Sequence, residues 1–99
     1  MNEVKVFKMI NGEEVIGEVL KENADYLEIK SPAQIILQRT DTGMGVAIAP
    51  YMPYANGNIN LYNGAIASDC KPDQNLVNEY NKIFGSGIQI APASILAKL

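Results

Sequence analysis

Residues 10–29 read INGEEVIGEVLKENADYLEI. Asn11-Gly12 between apolar segments is a strong hairpin signal, because both residues accept positive φ. Val15, Gly17 and Val19 alternate with Ile16, Glu18 and Leu20, which predicts a second strand. Gly17 inside that strand marks a sharp bend or a close backbone approach, as at a barrel corner. Residues 21–25, KENAD, form a polar turn, and Tyr26, Leu27 and Ile29 open a third strand. Upstream, Val4, Val6 and Met9 lie among Glu3, Lys5 and Lys8 in near-alternation, with one slip at Phe7, and predict the first strand.

Downstream the same period continues with interruptions. Pro32 cannot donate to a ladder, so Ser31-Pro32 is expected at an edge or bulge, with residues 33–38 continuing beyond it. Residues 39–45, RTDTGMG, read as a loop. Residues 46–54, VAIAPYMPY, read as a strand broken by Pro50 and Pro53, and residues 55–58 as a turn. INLY (59–62) and AIAS (65–68) are short strands joined by an Asn63-Gly64 turn. The period then changes. Leu76, Val77, Tyr80, Ile83 and Phe84 fall on one helical face, with Asp73 as N-cap and Gly85 as the stop. Residues 86–99 carry Ile88, Ile90, Ile95, Leu96 and Leu99, too apolar for a disordered tail, and are expected to dock on the barrel or a neighbour. Five or six short strands followed by one helix predict an all-β fold, a small strongly bent barrel. Residues 1–70 form the barrel, and residues 71–99 form the helix and docking tail of the same domain.

The chain has 99 residues, 47% of them hydrophobic, and a net charge of −3. A domain of this size buries a thin core, which association often supplements. No basic stripe is present, so contact with nucleic acid would rest on local groups rather than on the overall field. Cys70 is the only cysteine, so no intrachain disulfide forms, and it is expected as a small buried apolar residue. With no histidine in the chain, the commonest general base and zinc ligand are missing; no catalytic set, metal site or cofactor is expected. Glu13, Glu14 and Glu18 read as a solvated strand face rather than paired catalytic carboxylates, and Tyr51, Met52 and Tyr54 as an oligomer interface, with the lining of a ligand cleft as the alternative. The N-terminal residues lack a signal-peptide run and no segment is long enough to span a membrane, so a soluble cytoplasmic protein is expected.

Ile10-Asn11-Gly12 followed by Val15, Gly17, Val19 and Leu20 resembles the first motif of Sm-like (LSm) proteins. Residues 61–68, LYNGAIAS, are similar to the second motif in its Hfq-like form. The resemblance covers roughly residues 4–70, and as a whole the chain looks like the Sm-like proteins of tailed phages of cyanobacteria. It implies a five-stranded SH3-like barrel, a homo-oligomeric ring of about five to seven subunits, and binding of single-stranded RNA, with DNA as a second ligand, in RNA or DNA processing or regulation. For a phage-encoded protein the location would be the host cytoplasm. By motif position the nucleic-acid-binding residues would be Asn23, Asp25 and Tyr26 in one loop and Tyr62, Asn63 and Gly64 in the other, with Lys21 and Lys30 flanking. Tyrosine offers a stacking face, asparagine a paired donor and acceptor for a base edge, and glycine room for close approach. The structural alternatives are strand tyrosines, a plain Asn-Gly turn and solvated lysines. The family carries a basic residue where this chain has Asn63-Gly64, and its helix precedes the barrel rather than following it. Those departures favour a second expectation, a protein-interaction or assembly module that keeps the barrel without nucleic acid.

Overall fold

The computed structural model describes residues 3–84. Strands β1 (Glu3–Met9), β2 (Glu14–Glu22), β3 (Tyr26–Thr40), β4 (Gly43–Pro50), β5 (Ile59–Tyr62) and β6 (Ile66–Cys70) precede helix α1 (Gln74–Phe84), with a 3-10 turn at Asn63–Ala65 between β5 and β6. All pairings are antiparallel. The sheet runs β4-β3-β2-β1-β6, and β5 joins the first part of β3. The fold is therefore all-β with one C-terminal helix, as expected. Six strands match the five or six read from the periodicity and exceed the five that the resemblance implies, and among the described residues the sheet does not close on itself: its path ends in β4 and β6, with β5 paired to β3 alone.

The bend sits where the sequence placed it. The β2–β3 register slips between Ile16 and Glu18 and again between Val19 and Lys21. Gly17 is buried, and a Cβ there would collide with Cγ2 of Ile29, with Pro32 close behind. Ser31 adopts φ 53°, so β3 turns there. Its first residues pair with β5 (Tyr26↔Tyr62 to Ile29↔Ile59) and its later ones with β4 (Ala33↔Pro50 to Thr40↔Gly43). Gly17→Ala is expected to cost about 1–3 kcal/mol, because packed neighbours must shift. Urea unfolding checks this, and a loss below about 0.5 kcal/mol would show that the crossing adjusts freely.

Both faces of the central strand are covered, so Val15 and Ile16, adjacent in sequence, are each fully buried. Side chains alternate across a strand. On the concave side Phe7, Met9, Val15, Ile29 and Leu61 form one cluster. On the other side Ile16 and Ala33 meet Tyr80 of α1, with Val4, Val6, Ile35, Leu76 and Phe84 around them. Phe7 is thus no slip in β1. It belongs to the concave face with Met9, while Val4 and Val6 face the helix.

Asp73 caps α1 as expected, accepting the Leu76 backbone N–H at 2.9 Å. The Tyr80 hydroxyl is 2.9 Å from the Ser31 carbonyl oxygen and 3.1 Å from that of Lys30, so it donates into the β3 bend. Burial first, then the charge of Glu18, pushes the Tyr80 phenol up to about 12. A tyrosine whose pKa is raised by folding stabilises fully below its unfolded value of about 10, and that stability drains away as pH climbs toward 12. Denaturation midpoints are expected to fall from pH 10 upward, and Tyr80→Phe to flatten that decline at the cost of the hydroxyl's bonds. An equally steep decline in Tyr80→Phe would assign the effect elsewhere.

Several local expectations are corrected. Residues 39–45 are not a loop: β3 and β4 run as a hairpin closed by Asp41 and Thr42, with Thr40 Oγ1 donating to the Gly43 carbonyl at 2.8 Å. The apolar stretch 46–54 stops being a strand at Pro50. The Asn63-Gly64 turn is a 3-10 turn that includes Ala65. Cys70 is exposed, not buried, because it ends an edge strand. On the predicted helix face, Ile83 is exposed while Tyr80 is buried. Gly85 and residues 86–99 lie outside the described residues. Among the described residues no helix is long and apolar enough to cross a membrane.

Candidate nucleic-acid interface

The two loops named from the sequence come together. Asn23 opens the β2–β3 turn, and its Oδ1 accepts the backbone N–H of Asp25 at 2.8 Å and of Tyr26 at 2.9 Å. This is an Asx turn, the reason asparagine is favoured at such positions. Asn63, at the start of the 3-10 turn, reaches back to it. Its backbone N–H donates to the Asp25 carbonyl at 2.9 Å, and its Nδ2 donates to the Ala24 carbonyl at 2.8 Å. The two turns are therefore locked to each other, 39 residues apart in sequence.

That lock places Tyr26 opposite Tyr62 in the β3–β5 register. Their ring centroids are 5.4 Å apart in an edge-to-face arrangement, a geometry that aromatic quadrupoles favour. Tyr26 is half-buried and supports. Tyr62 remains 56% exposed and presents its ring to solvent. Gly64 faces open space, with nothing within 4 Å of where a Cβ would stand.

The other candidates are placed differently. Asn23 Oδ1 and Asn63 Nδ2 are spent on the turns, which leaves Asn23 Nδ2 and Asn63 Oδ1 for a base edge. Asp25 is exposed at the turn. Lys21 is exposed across the ladder from Glu28. Lys30 is not part of the ledge. It lies four residues beyond Tyr26, about 13 Å at the rise of a strand, opposite Glu18.

A cleft of about 430 Å³ adjoins the ledge, lined by Lys5, Glu22, Asn23, Leu27, Asn63 and Asp69 among others. Lys5 Nζ and Asp69 Oδ1 form an ion pair at 3.0 Å, and this bond to Asp69 holds the Lys5 ammonium above its ordinary value. Asp69 was not signalled by any local pattern. Only the antiparallel pairing of β1 with β6 brings it to Lys5. Glu22, Asp25 and Asp69 outnumber Lys5, which is paired with Asp69, so the cleft draws phosphate weakly and Lys21 at the end of β2 is the cation left to meet it. Rings and amides are the groups able to hold an unpaired base. A comparison with protein-family models returned no match, and a comparison with curated proteins returned none either.

Proposed function

We propose that the chain is an Sm-like module that assembles head to tail into a ring and binds single-stranded nucleic acid, RNA before DNA, on the Tyr62 ledge. The observation that carries this reading is the Asn63 tie between the two turns, which holds an exposed tyrosine beside two asparagines. Stacking on such a ring is tolerant of sequence. Assembly has its own support. Among the described residues the sheet path ends in β4 and β6, and an apolar edge left bare invites pairing. Pairing β4 of one copy with β6 of the next would satisfy both edges, and a head-to-tail contact that closes gives a ring. Met44, exposed on the β3–β4 arm outside the groove, would then be covered.

The test joins two measurements. Light scattering after size exclusion should give a discrete oligomer. Fluorescence polarisation with oligo-U, oligo-A and single-stranded DNA should show binding at low salt. A second reading, an assembly module without nucleic acid, is favoured by the carboxylates around the ledge. A discrete oligomer that ignores every oligonucleotide at low salt would select it. A monomer would remove the ring from both readings.

A further inference from the structure

A second cleft, of about 550 Å³, lies on the far side of the sheet from the concave core. One wall is the first turn of α1 with Leu76, another the end of β6 with Cys70, and the floor is Val6, Ile35, Leu37 and Val46. Leu37 and Val46 are 63% and 53% exposed among the described residues. An apolar groove of this size left in water is unfavourable, by roughly 25 cal/mol for each Å² that a fitting partner would cover.

We propose that residues 88–99 of the same chain, IQIAPASILAKL, fill this groove. The sequence supplies five large aliphatic side chains there, Ile88, Ile90, Ile95, Leu96 and Leu99, and a single charge, Lys98. That charge suits a rim on which three carboxylates, Glu14, Asp73 and Glu79, stand against one ammonium, Lys71. The reach suffices. Leu76 in the groove wall and Phe84 at the end of α1 are separated by about 12 Å of helix. A link of four residues can span up to about 13 Å. Tethering also decides between occupants, since a segment joined by so short a linker faces the groove at an effective concentration of the order of millimolar. A second copy in dilute solution does not. The strand edges of β4 and β6 use backbone groups, so a groove filled by side chains leaves them available for assembly.

Cys70, the sole cysteine, reports on the groove. Its reaction with a chromogenic aromatic disulfide should be about tenfold slower in the full chain than in a chain ending at Gly87, as expected if docking is worth about 1.4 kcal/mol. The difference between the two chains should persist at every protein concentration, whether or not β6 is paired with a neighbouring copy. Because the shortened chain could unfold and react fast for that reason, the full-length I95D/L96D variant, with its circular dichroism verified as native, is measured beside it. It should react as the shortened chain does. Equal rates in the full chain and in I95D/L96D would overturn the proposal. So would protection that grows with concentration and is equal in both, which would give the groove to a second copy.

Discussion

Phe7→Ala is expected to lower stability by about 3–5 kcal/mol, the usual cost of emptying a buried phenylalanine site. Phe7 is fully buried and sits among Met9, Val15, Ile29 and Leu61, drawn from four different strands or their partners across the concave face. Collapse around the vacancy is restricted. Val15 is held in the β1–β2 ladder directly opposite Phe7, and Ile29 is already crowded against Gly17. A domain of this size has about 5–15 kcal/mol in total, so the variant should be marginal, its Tm lowered by at least about 12 °C. Urea unfolding at constant m measures it. Ile10→Ala, at a residue 69% exposed beside the first turn, should change stability by less than about 0.5 kcal/mol. A Phe7→Ala cost near that of Ile10→Ala would mean that the concave face is not the core.

Phe7 also shows where a sequence pattern stops. In a strand covered on one face, alternation separates core from solvent. β1 and β2 are covered on both, by the curled sheet and by α1, so Val4 and Val6 serve one core and Phe7 and Met9 the other. The sequence pattern made Phe7 look like an irregularity. Gly17, by contrast, was legible, because glycine amid strand formers has few reasons to be there, and the crossing of Ile29 is one of them. Asp73 and the Leu76–Tyr80–Phe84 stripe were legible for a similar reason, since capping and helical period are local. The first turn was legible in place but not in length. Asn11 Oδ1 accepts the Glu13 backbone N–H at 2.9 Å, and Gly12 takes φ 95°, so the connection spans residues 10–13. The 39–45 hairpin carries no apolar alternation at its tip. Its ladder is backbone only, which a side-chain pattern does not reveal. At the ledge, the two turns named from the sequence do meet, but Lys30 lies apart from them, and the roles of Asn23 and Asn63 shift. Their side chains close turns first, through Asn23 Oδ1 and Asn63 Nδ2. Cys70 and Asp69 are on an edge strand whose place in the sheet follows from topology, not from any neighbour in sequence.

Tyr62→Ala is expected to weaken oligonucleotide binding by about 1–3 kcal/mol, between roughly fivefold and 150-fold in Kd. Tyr62 is the ring that the ledge presents, and Tyr26 meets it edge-on at 5.4 Å. Tyr26→Ala alone should therefore cost less than Tyr62→Ala, by loosening the platform rather than removing it. The double variant should cost about what Tyr62→Ala costs, since the support has no function once the platform is gone. Asn63→Asp offers a separate check. It replaces the Nδ2 donor to the Ala24 carbonyl with an acceptor, so one of the two bonds that lock the turns is lost while the backbone bond to Asp25 and both rings remain. Binding should fall in company with a change in the near-ultraviolet signal of the tyrosines. Salt dependence decides whether this ledge is the surface in use. Lys21 is the only one of the candidate lysines near the turn, and Lys5 is held by Asp69. With one phosphate contact per subunit engaged, log K against log salt should slope near −0.7 for each subunit contacted, far shallower than a basic groove would give. A steep slope, or a Tyr62→Ala variant that binds as tightly as the unaltered chain, would move nucleic acid off this ledge. The exposed tyrosine would then be a contact for protein, where aromatic anchors are equally at home.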